Sequence, residues 1–372
     1  MKFSKIIEKY KSPLDLLNPS FRQNHAYRPD GAKSEEPENE VQKKNVQYST
    51  IIYDKIEIDF NKYKSVKESI NITTNPEKTI WINAIGIKKK EVQLICNHFK
   101  VHSLLTNDIL SLGQRAKTDE IDEYYFCLLP ILIYDSEFQI VEQKQITILL
   151  GRNIVLSFIP EDEAVFFDSV KLKLKNEKDP LRTKNADFLF YHLIDTIVDD
   201  YFIAIDQLSH RLQDLERKAL SPNNKKNILI EISALRNEIM VMRRALTPVK
   251  DVVFTLWQAN TPLIENRNAR YFKDIYDHIQ LAIEYNDGYR EMTVNLQDLY
   301  MNQVNTKMNE VMKILTMVTV LLAPATVIGG IFGMNFDLIP MAHNQIGFFL
   351  TIGIMFLISI LMIWYFHKKG WF

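Results

Sequence analysis

Cysteine is nearly missing from this chain: Cys96 and Cys127 are the only two among 372 residues. Neither has a partner at metal-ligand spacing, so both read as buried thiols of a reducing compartment. The usual catalytic signatures are absent as well. There is no Gly-rich phosphate loop, no Gly-x-Ser-x-Gly and no His-Glu-x-x-His, which leaves no motif on which to build an enzyme. An excess of one charge is also lacking, since 45 Lys and Arg face 46 Asp and Glu for a net charge of −1. That balance argues against a general nucleic-acid binder. Met1–Pro13 carries Lys2, Lys5, Glu8, Lys9 and Lys11 and no apolar run, so no cleaved signal peptide is expected.

Long apolar runs are present, and they lie at the C-terminal end. Ile314–Phe332 and Ile346–Phe366 each have the length of a spanning helix, about 20 residues. No charge falls between Lys313 and Asp337, and the loop joining the runs holds no Lys or Arg. Lys307 and Lys313 precede the first run, and Lys368 and Lys369 follow the second. The positive-inside rule then places both chain ends in the cytoplasm of a cell whose inner membrane holds the two spans.

At 372 residues the chain can bury a substantial core and hold two or three domains. Residues 1–45, with the charge run Ser34-Glu35-Glu36-Pro37-Glu38-Asn39-Glu40, read as a disordered tail. Residues 46–170 read as a cytosolic α/β domain. Strand-like runs are Tyr48–Tyr53, Thr79–Ile85, Tyr124–Ile133, Thr147–Leu150 and Ile154–Phe158, with helices at Lys90–His98 and Leu105–Leu112. Gly151-Arg152-Asn153 reads as a turn. Residues 171–260 predict a helical hairpin: Ala186–Leu220, a turn at Ser221-Pro222-Asn223-Asn224, and Lys226–Thr247 stopped by Pro248. Residues 261–335 form a third pattern, opening at Pro262 and meeting no proline before Pro324. If continuous it is a stalk of about 100 Å, softest at Gly288, whose end is the first span. Residues 336–345 are an external loop, 346–366 the second span and 367–372 a cytosolic tail.

Steps of four and three down one face of the long pattern meet Asn305, Asn309, Met312, Thr316, Thr319, Ala323, Thr326, Gly330 and Gly333. A span that only sits in lipid has no need of such a stripe. Two readings stand: it lines a pore, or it lets helices pack closely, as the Gly329–Gly333 pair allows. After Gly333 come Met334 and Asn335, and an amide at the outer end of a span can hold a cation through its water shell. Magnesium gives up water reluctantly, so this mode suits it. Asn335 is alternatively a helix C-cap. One hairpin of helices cannot enclose an aqueous path, so a pore requires a ring of copies.

Asn309-Glu310-Val311-Met312-Lys313, Pro324 and Ile331-Phe332-Gly333-Met334-Asn335-Phe336, preceded by Val198-Asp199-Asp200-Tyr201-Phe202 and Tyr271-Phe272-Lys273-Asp274-Ile275-Tyr276-Asp277-His278, resemble the CorA family of magnesium channels from about Ile80 onward. The resemblance implies a homopentameric funnel with the first span lining the pore. Gly333, Met334 and Asn335 would select the ion, and Met312 and Leu315 would form an apolar gate. Asp274 and Asp108, facing each other across subunits, would sense cytosolic magnesium, with Asp195 a further candidate. Magnesium is then both transported and regulatory, and the partners are further copies of the chain, divalent cations and lipid. The sequence departs from the pattern at Thr319 and Ala323, small for a gate. It departs also at Asn107, where the family often has Glu, and in Phe336–His343, which keeps only Asp337. Other readings are a zinc, cobalt or nickel transporter, hinted at by His343, and a membrane-anchored binding or signalling protein.

Overall fold

A computed structural model describes residues 47–71, 77–86, 88–160, 163–221, 228–334 and 345–371. The expected tail over residues 1–45, the Pro222 turn, Asn335, Asp337 and His343 lie outside the described residues. The chain divides into two units, Met1–Val294 and Asn295–Phe372.

The first unit is built on a seven-stranded sheet of order β2-β1-β3-β7-β6-β5-β4. In chain order the strands are β1 Gln47–Tyr53, β2 Ile58–Tyr63, β3 Thr79–Ile85, β4 Lys117–Ile121, β5 Tyr124–Asp135, β6 Ile140–Leu150 and β7 Ile154–Ile159. Only β3 and β7 pair in parallel, Ile80 opposite Ile154. A parallel pair needs a long crossover, and here it contains α2 Lys89–His98, α3 Ser103–Leu110 and the β4–β6 meander. Gly151 closes the tight turn into β7, its N–H donating to the Ile154 carbonyl at 2.8 Å. A Cβ at that position would meet Ile154 Cγ2 at 2.8 Å, so a side chain there requires the turn to shift.

Side chains of β3 alternate between two covered faces. Ile80, Ile82 and Ala84 join Phe126, Leu128, Leu156 and Phe158 against a short helix α1, Val66–Ile70, and against α2 and α3 through Val92, Ile95, Cys96, Leu105 and Ile109. On the other face Trp81 meets Phe167 edge-on at 6.0 Å and Tyr125 meets Phe190 at 6.5 Å. Burial on both faces is why β3 and β7 read as near-continuous apolar runs. Three polar side chains there form a chain: Trp81 Nε1 donates to Ser157 Oγ at 2.9 Å, and that hydroxyl donates to Asn83 Oδ1 at 2.7 Å, while Asn83 Nδ2 is buried without a partner among the described residues.

After α4 Asp168–Lys175, two long helices pack on that second face: α5 Ala186–Leu220 and α6 Ile228–Trp257. The expected stop at Pro248 is not observed, because α6 runs through it for nine more residues. An interior proline costs about 3 kcal/mol. Val249, Val252, Val253 and Leu256 beyond it are all buried, at roughly 1.5–3 kcal/mol each, so burial wins. The expected start of the third helix at Pro262 moves to Ala269, after a turn of 3-10 helix at Asn266–Asn268. Buried Asp187 holds that approach, accepting from Glu265 N at 2.9 Å and Asn268 Nδ2 at 2.7 Å. From there α7 is one helix, Ala269–Phe332, 64 residues long with Pro324 inside it.

The second unit holds the rest of α7 and α8 Gln345–Lys368. Among the described residues two helices are long and apolar enough to cross a membrane, the one ending at Phe332 and Ile346–Lys368. Beyond α8, Gly370 takes a φ of 68°, and Trp371 stacks on Phe366 at 5.2 Å.

Candidate functional site

The stripe from Asn305 to Gly330 lies on α7, Gly333 follows the helix end by one residue, and every one of these residues is exposed. Covered positions of the same stretch are Lys313, Met317, Val320, Leu321, Pro324 and Ile328, which at 100° per residue fall on a different side from the stripe, with Met317, Leu321, Pro324 and Ile328 the farthest from it. On α8 the covered positions Thr351, Met355, Ile358, Met362 and Phe366 also share one face, and Lys313 Nζ donates to the Gly370 carbonyl at 3.1 Å. Each span thus gives one face to the hairpin, and the stripe is left over.

The threonine hydroxyls are committed to their own helix. Thr316 donates to the Met312 carbonyl at 2.8 Å, Thr319 to Leu315 at 2.9 Å and Thr326 to Leu322 at 3.1 Å. A hydroxyl with its one proton spent presents only acceptor lone pairs. Such a surface suits the outward-pointing hydrogens of a cation's water shell. A Cβ at Gly329 or Gly330 would meet nothing within 4 Å, so no contact inside the hairpin requires glycine there. The helix ends with Gly333 N–H donating to Gly329 O at 3.0 Å and Met334 N–H to Ile331 O at 3.3 Å. Met312 and Leu315 are both exposed.

The three carboxylates proposed from sequence sit in the first unit, in different surroundings. Asp108, on α3, is in an ion pair with Lys117 Nζ at 2.6 Å. A metal shared at Asp108 has to compete with that lysine. Asp274, near the start of α7, is exposed and in no ion pair among the described residues, and Asn107 is exposed as well. No hydrogen bond or ion pair joins Asp108 to Asp274 among the described residues. Asp195 is half-buried on α5, where burial and then repulsion from Asp199 push its carboxyl up to about 6. Tyr191 OH donates to it at 3.4 Å.

Around Asp195 the fold assembles a group that motif reasoning passed over. Asp195, Asp199 and His278 each bring one ligand atom to within 4.8 Å of the others. Asp195 and Asp199 are one turn apart on α5, and His278 is one turn beyond Asp274 on α7. The i, i+4 spacing on both helices was the available signal; which helix faces which was not.

Residues 76–368 match the family model described as CorA-like Mg2+ transporter protein. The chain belongs to the CorA family. The cobalt/magnesium transport protein CorA of Thermotoga maritima is 32% identical over 315 residues, covering 84% of this chain and 89% of that relative. The protein of the same name from Methanocaldococcus jannaschii is 26% identical over 302 residues, 79% of this chain and 92% of the relative. The solved structure of the M. jannaschii CorA magnesium transporter superposes with a TM-score of 0.73 at 24% identity, over 87% of this chain and 98% of that one. The CorA family is one of transporters and channels, not enzymes. An α/β unit, a long helix and two C-terminal apolar helices are its architecture, and this chain has all of them.

Proposed function

We propose that this CorA-family chain is a passive magnesium channel of the cell membrane, with both chain ends cytoplasmic, assembled as a homopentamer. The observation that carries the reading is the exposed stripe of α7. Its hydroxyls act only as acceptors, and it lies opposite the face that packs in the hairpin. In a ring of copies such stripes converge on one axis and offer oxygen acceptors to a hydrated dication. Gly333, Met334 and Asn335 form the selecting ring at its outer end, with the Asn335 amide contacting the ion's water shell. Met312 and Leu315 supply the apolar constriction, which closes by dewetting.

Gating follows from Asp274 lying on the same helix as the stripe. Cytosolic magnesium between Asp274 of one subunit and Asp108 of the next holds the closed ring, and its loss lets the carboxylates repel. The ion has to bind the closed state better than the open one, since equal affinity shifts nothing. Two relatives are cobalt/magnesium transport proteins, so cobalt is the second ion to compare. The test is flux into liposomes containing only this protein. Asn335→Ala is expected to abolish magnesium flux while the oligomer stays intact. Flux equal to wild type would reduce the signature to a helix cap.

A further inference from the structure

We propose that the acidic run carrying Glu35, Glu36, Glu38 and Glu40 docks on a lysine-covered corner of the sheet unit. The corner is where β1 begins. Gln47 pairs with Ile85, the last residue of β3, and Tyr48 pairs with Tyr63, the last residue of β2. Both neighbours run antiparallel to β1 and so end where it starts. Lys64 follows β2 directly, Lys67 lies on α1, Lys88 caps α2, and Lys89 and Lys90 open that helix. All five lysines are exposed.

Two side-chain bonds gather these elements at the corner. The Tyr48 hydroxyl donates to the Glu91 carboxylate on the first turn of α2, and Thr50 Oγ1 donates to the Ser69 carbonyl on α1 at 3.1 Å. In turn α1 packs on α2. None of the five lysines is in an ion pair among the described residues. The acidic residues on α1 and α2 are Glu68 and Glu91, and Glu91 is already engaged by Tyr48. The opposite end of the same strands is different, because Lys78 there pairs with Glu57 at 2.7 Å and with Asp54 at 3.5 Å. Clustered charge of one sign raises a local potential that draws the opposite sign.

Reach and charge name the occupant. The acidic run lies ahead of β1, outside the described residues. Its four glutamates stand between Lys33 and Lys43 with no basic residue among them, and Glu40 is seven residues before Gln47. An extended chain covers about 3.3–3.6 Å per residue, so the run reaches roughly 24 Å from the start of β1. The corner lies inside that radius, since neighbouring strands are about 4.8 Å apart and Lys88 is three residues beyond the end of β3. A single exposed Lys–Glu pair is weak and screened by salt. A short tether, however, holds all four carboxylates at a millimolar effective concentration, an advantage that no free anion has. The docking needs neither the pore nor the pentamer.

The test uses the full-length protein in detergent at low salt. A water-soluble carbodiimide joins a carboxylate to an amine only where the two touch, and mass spectrometry of the digest locates each amide formed. Bonds from the four glutamates to Lys64, Lys67, Lys88, Lys89 and Lys90 are expected. They should be about fivefold more abundant than bonds to Lys55, an exposed lysine beyond the far end of β1, and fall about threefold when salt shortens the Debye length. Acetylation of Lys88, Lys89 and Lys90 is expected to run about threefold faster once the tail is neutralised by Glu35→Gln, Glu36→Gln, Glu38→Gln and Glu40→Gln, with Lys55 unchanged, because exposed pairs are individually weak. Reversing the corner by Lys88→Glu, Lys89→Glu and Lys90→Glu should abolish the bonds to those positions. Adding Glu35→Lys, Glu36→Lys, Glu38→Lys and Glu40→Lys should restore them with carboxylate and amine exchanged. Bonds confined to Lys33, Lys43 and Lys44 would show that the run pairs with its own neighbours. Equal acetylation in wild type and the neutralised tail would show a corner that is bare or covered by another anion. Either result, or no restoration by the double reversal, overturns the proposal.

Discussion

The two units solve opposite problems with the same residue types. In the sheet unit Trp81, Phe126, Phe158 and Tyr201 are buried, most charges stay outside, and the buried carboxylates Asp187 and Glu238 accept hydrogen bonds. In the span unit Leu322 is 60% exposed and Phe349 73%, and the most covered side chains are few, Met317 and Phe366 among them. Water makes the first arrangement stable, because apolar area removed from it contributes roughly 25 cal/mol per Å². Lipid removes that drive between helices, since its tails are as apolar as leucine. An inside-out helix pair is therefore a statement about its solvent. Within such a pair the informative residues are the exposed polar ones, Asn305, Thr316, Thr319 and Thr326, just as Asn83 and Ser157 are the informative ones in the sheet core.

The sharpest way to break the comparison is to delete the same kind of side chain in each unit. Trp81→Ala is expected to destabilise the protein by about 3–5 kcal/mol, the range for large aromatic deletions in a packed core. Leu322→Ala, facing outward in the spans, is expected to change stability by no more than about 0.5 kcal/mol. Urea midpoints of the solubilised protein read both. Similar losses at the two sites would mean that Leu322 is packed in the assembly and not against lipid.

A smaller effect is expected where one helix passes from the first environment to the second. Asp274→Lys places a tethered cation where the shared magnesium would sit. The wild type is expected to become protease-sensitive in the segment Asn260–Arg270 when magnesium is removed, while Asp274→Lys stays protected. Equal digestion of both proteins in both conditions would leave Asp274 as a solvated helix residue.

The smallest effect is confined to the sheet unit. Burial, with help from Lys173, pulls the His192 imidazole down to about 4, below the unfolded value of about 6.5. Between those values the unfolded chain binds more protons, so stability falls as pH drops from 6.5 toward 4. Burial raises Asp195 and Asp200 to about 6, and protonating them in the folded state adds stability as pH falls through 6. The two trends oppose each other. His192→Gln removes only the destabilising one, so its melting temperature is expected to drop less than that of the wild type between pH 7 and pH 5. Parallel slopes would show that His192 takes up no proton in that window on unfolding.

Periodicity located the apolar strands well: Thr79–Ile85 was read to the residue, and the helix Ala186–Leu220 at both ends. It missed β2 and β4 because Ile58–Tyr63 and Lys117–Ile121 are edge strands rich in polar and charged residues, as edges exposed to solvent require. Local propensity stops α6 at Pro248, and only the buried Val249, Val252, Val253 and Leu256 beyond it carry the helix on to Trp257. The two apolar spans and the exposed polar stripe were legible, since lipid imposes its length and composition rules residue by residue along one chain.

Family membership, membrane crossing and the hydroxyl-bearing face thus lie in the linear order of residues, where hydropathy and helical period act locally. Pairing across helices does not. That Asp108 is held by Lys117, that Thr316 and Thr319 spend their protons on their own backbone, and that His278 comes to Asp195 and Asp199 all depend on distances between side chains far apart in the chain or on rotamers. The Asp108 pair follows from how α3 meets β4 and the His278 approach from how α5 meets α7, while the threonine bonds follow from rotamers on α7 alone.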